Sequence, residues 1–200
     1  MQPILELHNI NFSYHTLEGE TKALSDISFS LSPGEFTAVV GPSGCGKSTL
    51  LSLICGLLKP GSGKILLNGE PLTENSSDIG YMLQHDHLFE WRTVYRNVIL
   101  GPEIRRTLDS TTKQKAHKLL EQYGLEQFAG SRPSELSGGM RQRAALNRTL
   151  LPDPKLLLLD EPFSALDYQT RLTVSDDIGQ IIRKSGKTAL LVTHDLSEAV

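Results

Sequence analysis

The 200-residue chain carries 20 Lys and Arg against 23 Asp and Glu, a formal net charge of −3 with histidine neutral. That length suits one sizeable hydrophobic core with a small lobe attached, and the acidic balance argues against nucleic acid as a partner, since duplex binding needs a dense basic surface. No apolar run approaches the roughly 18 residues of a membrane span, and Met1-Gln2-Pro3 leads into a strand pattern without a signal-peptide core, so the chain reads as soluble and cytoplasmic.

In chain order, Ile4 to Tyr14, Ala23 to Leu31 and Phe36 to Val40 are predicted strands, with Glu18-Gly19-Glu20 and Ser32-Pro33-Gly34-Glu35 as turns between them. The third strand runs into Gly41-Pro42-Ser43-Gly44-Cys45-Gly46-Lys47-Ser48-Thr49, and an apolar helix from Leu50 to Leu58 follows. A G-x-x-x-x-G-K-S run between strand and helix is a phosphate cradle. Gly41, Gly44 and Gly46 let the backbone turn its N–H groups inward, the helix start adds partial positive charge, Lys47 faces the β/γ-phosphates and Ser48 offers a hydroxyl to Mg²⁺. The chain is therefore expected to bind a nucleoside triphosphate. Cys45 and Cys55 are the two cysteines, which indicates no disulfide framework. Cys45 sits at a helix start that would activate its thiol, with no base beside it to make it catalytic, and Cys55 reads as a core residue.

Lys59-Pro60-Gly61-Ser62-Gly63 stops the helix, a strand from Lys64 to Leu67 meets the turn Asn68-Gly69, and a strand from Ile79 to Leu83 ends at Gln84. From His85 to Asp153 the pattern is helical, with segments at Val94 to Leu100, Thr112 to Tyr123 and Gly139 to Leu151. Strands return at Lys155 to Leu159 and Thr188 to Thr193, around a helix from Thr170 to Lys184. This alternation implies an α/β core with a largely parallel sheet, residues 1–84 and 154–200 forming the core and 85–153 a second lobe. The run Leu156 to Leu159 ends in Asp160-Glu161, and ligands of open α/β sheets sit beyond strand carboxyl ends. Asp160 then suits Mg²⁺ or its water, and Glu161 suits the attacking water. His85 and His87 are too few for a structural metal site.

A second glycine motif, Leu136-Ser137-Gly138-Gly139-Met140-Arg141-Gln142-Arg143, also opens a helix. With the features above, this run resembles the signature sequence of ATP-binding cassette (ABC) ATPases. Gln84 matches that family's glutamine loop, Ser164-Ala165-Leu166-Asp167 its D-loop, Thr193-His194-Asp195 its switch histidine and Tyr14 its adenine-stacking aromatic, so the resemblance covers essentially the whole chain. It implies a P-loop nucleoside triphosphatase core with an antiparallel β subdomain and a helical signature subdomain. It also implies that Tyr14 and residues 41–49 bind ATP, that Ser48, Gln84 and Asp160 surround Mg²⁺, and that Lys47, Gln84, Glu161 and His194 serve catalysis. Ser137, Gly138 and Gly139 would cap the γ-phosphate held by the other protomer, so that two ATP molecules glue a head-to-tail homodimer. Tyr14 also reads as an ordinary strand aromatic. Arg141, Arg143 and Arg148 read as a solvated or acid-paired face.

Leu88-Phe89-Glu90-Trp91-Arg92-Thr93-Val94 resembles the P-W-R-T-V segment of ATPases from nitrate, sulfonate and taurine importers, a region that meets the membrane subunit's coupling helix. Trp91 reads as a partner anchor or as a residue of the lobe core. Glu90 stands where that subgroup has proline, and Asn147 where the family commonly has alanine. Family members continue well beyond the switch histidine, so a chain ending at Val200 is expected to be a truncated form, with Leu196, Ala199 and Val200 on an incomplete amphipathic helix lacking burial. The resemblance implies the ATPase subunit of an importer at the cytoplasmic face of the membrane, with permease subunits as direct partners and a substrate-binding protein as an indirect one. A soluble cassette ATPase of DNA repair or translation, and a non-catalytic nucleotide-dependent module, are the competing readings.

Overall fold

Two long strands open the chain: β1 (Leu5–Thr16) and β2 (Gly19–Leu31) pair antiparallel from Leu5 opposite Leu31 to Thr16 opposite Gly19. The computed structural model describes every residue except Met1, Glu18, Glu74, Asn75, Ala165, Ala199 and Val200, and all remaining side chains except those of Lys184 and Ser197. Leu5, Leu7 and Ile10 of β1 and Leu24 and Leu31 of β2 are buried. The register slips along the pair, and near the slips Asn9 and Asp26 have φ of 49° and 50°. Side chains tie these positions together: Asn9 Nδ2 donates to Asp26 Oδ1 (2.6 Å), and the Asp26 N–H donates to Asn11 Oδ1 (2.9 Å). β4 (Ser62–Leu67) lies on the other side of β1 and β5 (Glu70–Pro71) beyond it, giving the order β2-β1-β4-β5. Asn68 and Gly69, at φ 54° and 81°, make the two-residue hairpin between them, the conformation that Asn-Gly favours.

A second sheet is parallel. β3 (Phe36–Val40), β8 (Thr188–Thr193) and β7 (Leu156–Asp160) run side by side, with Val40 opposite Thr193 and Asp160 opposite Val192. Every residue of β7 and β8 is buried, which is why both read as unbroken apolar runs. Helix α1 (Lys47–Ile54) packs Leu50, Leu51, Leu53 and Ile54 inward and touches β7 and β8. These elements belong to one compact unit, residues 1–79, 155–160 and 182–200. β6 (Ile79–Met82) leads out of it.

The other unit comprises residues 80–154 and 161–181. It holds α2 (Val94–Val98), α3 (Leu100–Ile104), α4 (Ser110–Gln122), α5 (Gly138–Leu150) and most of α6 (Tyr168–Ser185). Helix α5 packs against α2 and α4, and Val94, Val98, Ala116, Leu120, Ala144, Ala145, Leu146 and Leu150 are buried. Asp109 caps α4 by accepting from the Thr112 N–H at 2.7 Å.

Several expected boundaries shift for local reasons. The helix expected from Leu50 to Leu58 begins at Lys47 and ends at Ile54, because Gly56 turns left-handed (φ 77°) and the N–H groups of Leu57 and Leu58 fold back on the Ser52 carbonyl. Cys55, read as a core residue, is half-buried, and Leu57 beyond it is exposed. The segment from Val94 to Leu100 divides into α2 and α3 at Ile99; Pro102 has no N–H to continue the ladder to Val98. Gly19 and Glu20, expected in a turn, begin β2, and Glu18 lies outside the described residues. Leu196 is exposed in a short 3-10 turn (Leu196–Glu198), and Ala199 and Val200 lie outside the described residues.

Asn147 on α5 is wholly buried, and neither its Oδ1 nor its Nδ2 has a hydrogen-bond partner among the described residues. An unmade buried hydrogen bond costs about 1–3 kcal/mol, more than the small cavity left by truncation to alanine should cost here. Asn147→Ala is therefore expected to stabilise the protein by about 1 kcal/mol, a rise in Tm of roughly 2–4 °C. A lower Tm in calorimetry would show that the amide is satisfied in solution.

Candidate functional site

In the first unit the glycine-rich loop lies between β3 and α1, anchored where the Gly41 N–H donates to the Thr193 carbonyl (3.2 Å). Gly46 has φ 98°, and a Cβ there would lie 2.6 Å from the Ala23 carbonyl oxygen, so both conformation and space require glycine. The Lys47 side chain is buried, and its ammonium donates to the carbonyls of Gly41 (2.8 Å) and Pro42 (3.0 Å). One residue on, Ser48 Oγ donates to Asp160 Oδ1 at 3.0 Å, tying the first turn of α1 to the end of β7. Asp160 is only 5% exposed. Two oxygen donors, one a carboxylate, fit Mg²⁺, which takes few protein oxygens and completes its shell with water and phosphate. Among the described residues there is no cluster of three or more His, Cys, Asp or Glu able to hold a metal.

Above the loop is a cleft of about 320 Å³, lined by Tyr14, Thr21, Lys22, Ala23 and residues 44–49. The Tyr14 hydroxyl lies 3.1 Å from Thr49 Oγ1, and its ring meets that of Phe12 edge-on. Thr21 and Lys22 were not legible as cleft residues. Their signal is cross-strand register, Tyr14 opposite Thr21 and Ser13 opposite Lys22, which the irregular pairing of β1 hides from sequence. Cys45 is exposed in this loop, whereas burial pushes the Cys55 thiol up, against hydrogen bonds from the Leu57 backbone and its own. His194 follows β8 on the surface of the same unit. Beside it Thr193 Oγ1 bonds Glu198 Oε2 (2.6 Å) and accepts from the Asp195 N–H (3.0 Å).

In the second unit Gln84 and Glu161 come together. Gln84 Nε2 lies 3.5 Å from Glu161 Oε2 and 3.4 Å from Ser164 Oγ, and Ser164 Oγ donates to the Glu161 carbonyl (2.9 Å). Glu161 has φ 42°, an uncommon left-handed conformation for such a side chain. Arg171 donates to the carbonyls of Ser164 and Leu166, and Asp167 caps α6 through the Thr170 N–H (3.1 Å); Ala165 lies outside the described residues. Ser137 caps α5, accepting from the Met140 N–H at 3.4 Å. A Cβ on Gly138 would lie 2.8 Å from Leu166 Cδ2, and one on Gly139 would lie 2.7 Å from Val174 Cγ2. At Gly139 the short, branched Val174 leaves little room for a side chain, whereas at Gly138 the tip of Leu166 would have to shift.

The loop after Gln84 is held by a residue that the sequence reading missed. Asn97, wholly buried, accepts from the Phe89 N–H (2.7 Å) and donates to the carbonyls of Phe89 (3.1 Å) and Thr93 (3.0 Å). A lone amide inside the apolar run 94–100 was its signal. Trp91 is 70% exposed against Phe89 (centroids 4.6 Å apart), which removes the lobe-core reading of Trp91. Arg92 pairs with Glu103. Arg141 pairs with Asp86 (2.8 Å) and Glu90 (2.9 Å), and Arg148 donates to the carbonyls of Asp86 (2.6 Å) and His87 (2.8 Å).

Comparison with known proteins follows from this geometry. A family model described as ABC transporter matches residues 24–164. The chain is 47% identical over 196 residues to the uncharacterized ABC transporter ATP-binding protein YtlC of Bacillus subtilis, covering 98% of this chain and 75% of that protein. It is 42% identical over 193 residues to the taurine import ATP-binding protein TauB of Pelagibacter ubique, covering 96% and 73%. It is 46% identical over 180 residues to the aliphatic sulfonates import ATP-binding protein SsuB 2 of Agrobacterium fabrum, covering 90% and 67%. The fold matches a dimeric post-hydrolysis state of the ATP-binding cassette MJ0796 bound to ADP and Pi with a TM-score of 0.83 at 32% identity, over 98% of this chain and 90% of that one.

Asp86 carries a pH signature. Burial raises its pKa, but the hydrogen bonds from Arg141 and the Leu88 N–H, with the charges of Arg141 and Arg148, outweigh this and hold the carboxyl below its usual range. A lowered folded-state value gives stability that is complete above the unfolded pKa of about 3.9 and is lost as pH falls through the folded value. Asp86→Asn is expected to lower Tm at neutral pH, the gap from the parent narrowing as pH drops below about 4. Melts across that range check this, and an undiminished gap in acid would mean the ionised carboxylate is not what stabilises.

Proposed function

The chain belongs to the ABC transporter ATPase family, and on that premise we propose that it is the ATP-hydrolysing subunit of an importer, working as a head-to-tail homodimer on separate membrane subunits. The observation that carries the nucleotide chemistry is the Ser48–Asp160 hydrogen bond at 3.0 Å beside a loop that only glycine can form at position 46.

Phosphates would rest on the N–H groups of residues 41–49, with the Lys47 ammonium moving from the loop carbonyls to the β/γ-phosphates. Ser48 and Asp160 would hold Mg²⁺, with Gln84 beside it. The ion, when bound, neutralises charge on the phosphate oxygens. The water oxygen attacks the γ-phosphorus, the bond to the β–γ bridging oxygen breaks, and the Glu161 carboxylate takes the water's proton, leaving ADP and phosphate. Gln84 steadies that carboxylate through its Oε2. His194 would contact the γ-phosphate, and Tyr14 would stack on adenine, its hydroxyl held by Thr49. Ser137, Gly138 and Gly139 would meet the γ-phosphate bound by the other protomer, completing the charge stabilisation only in the dimer.

Among the described residues no helix is long and apolar enough to cross a membrane. The protein would sit peripherally, on the cytoplasmic face, with the exposed Trp91, backed by the half-buried Phe89, docked on a permease subunit and a substrate-binding protein acting indirectly. That exposed tryptophan favours transport coupling over a stand-alone ATPase. The resemblance of residues 88–94 to nitrate, sulfonate and taurine importers, with relatives named for taurine and aliphatic sulfonates, supports a small oxyanion-bearing solute as cargo.

Glu161→Gln keeps the shape and loses the base, so turnover is expected to fall by ~10²–10⁴ while Mg²⁺–ATP binding persists and dimers accumulate. Near-normal phosphate release would remove Glu161 from the role.

Lys47→Ala is expected to weaken ATP binding itself. Ser137→Arg should spare binding and block dimerisation, so equal loss of binding by both variants would exclude action of Ser137 in trans.

A further inference from the structure

The first unit holds another cavity, of about 240 Å³, between the turn that ends α1 and the strands β4 and β5. It is separate from the nucleotide cleft, with which it shares no lining residue. Leu53 and Ile65, both buried, and Leu58 and Leu72, both half-buried, give it an apolar lining. Backbone hydrogen bonds fix the walls: past the left-handed Gly56 the N–H groups of Leu57 and Leu58 donate to the Ser52 carbonyl (2.9 and 3.1 Å), and the Leu72 N–H donates to the Ile65 carbonyl (3.0 Å). Pro60 and Pro71 also line the cavity, each with its φ set by the ring. Walls already held in place need little further ordering when a ligand enters.

Lys59 and Lys64 line the same cavity and are exposed, so positive charge stands where the apolar lining meets water. Among the described lining residues there is no Asp or Glu. Apolar walls with cations at the mouth suit a molecule that is apolar along its length and negative at one end. A neutral hydrocarbon would leave the ammonium groups unused, and an inorganic anion would leave the apolar walls unfilled. The volume is below the roughly 300–1,000 Å³ of pockets for drug-sized ligands, which limits the occupant to a short chain. Lysine offers a compact point charge rather than a planar fork, so a carboxylate or a sulfonate serves equally as the head.

We propose that this cavity binds a short aliphatic acid, its chain against Leu53, Leu58, Ile65 and Leu72 and its anionic head at Lys59 and Lys64. The proposal is independent of the nucleotide chemistry and gives the chain a second class of ligand.

Titration calorimetry of the chain with butanoate, hexanoate and octanoate, kept below micelle formation, tests it. Affinity is expected to rise about fourfold per added methylene until the chain outgrows the cavity. Octanesulfonate against octanoate tells which head the site prefers, and binding by either supports the proposal. Octanol, as long but uncharged, should bind more weakly. Changing both exposed lysines, Lys59→Met with Lys64→Met, should weaken octanoate about tenfold and leave octanol unchanged. Leu72→Trp should fill the cavity and abolish binding of both; if that variant does not fold, the lysine pair decides. Saturating Mg²⁺–ADP should not compete. The proposal is overturned if neither octanoate nor octanesulfonate binds, if affinity is flat along the chain series, or if octanoate binds the double lysine variant as tightly as the parent. Binding that survives in folded Leu72→Trp, or that ADP displaces, would place the acid elsewhere and overturn it too.

Discussion

No side chain can occupy position 46. With φ at 98° and the Ala23 carbonyl 2.6 Å from where a Cβ would be, the backbone of the loop is pressed directly onto β2, and that approach fixes where α1 begins. From there the first turn of α1 is spoken for: Lys47 folds over the loop carbonyls and Ser48 reaches Asp160. The Gly41–Thr193 hydrogen bond ties the loop's other end to β8, the parallel neighbour of both β3 and β7. Strands on two sides thus set the position of one glycine, and with it the course of the whole loop.

The second unit solves a different problem, presenting an exposed tryptophan on a loop. It does so with buried polar groups, and the two asparagines show opposite outcomes. Asn97 matches its amide to backbone N–H and C=O groups of residues 89–93 and so replaces the secondary structure that this loop lacks. Asn147, equally buried, makes no such match among the described residues. The difference lies in what surrounds each: an irregular backbone has groups to offer an amide, whereas the interior of a helix face has already paired its own.

Much of the first unit was legible because its signals are local. Continuous apolar runs gave β3, β7 and β8, and the glycine loop announced itself by spacing and context. What was hidden depended on pairing: the two-residue β5 exists only through its register with β4, and Lys22 faces the cleft only because β1 slips against β2. In the second unit, Arg141 and Arg148 were read as a solvated or acid-paired face. Charge pattern alone cannot tell a carboxylate partner from a carbonyl one; Arg141 has the first and Arg148 the second. The split between α2 and α3 was written in Pro102, whose effect falls four residues upstream of where it stands.

Glu161 is held at φ 42°, a conformation that costs an ordinary residue about 1–3 kcal/mol and that glycine or asparagine adopts more readily. The backbone there would be more comfortable with a different amino acid. Glycine there would relieve the strain but would take from Gln84 Nε2 its carboxylate neighbour.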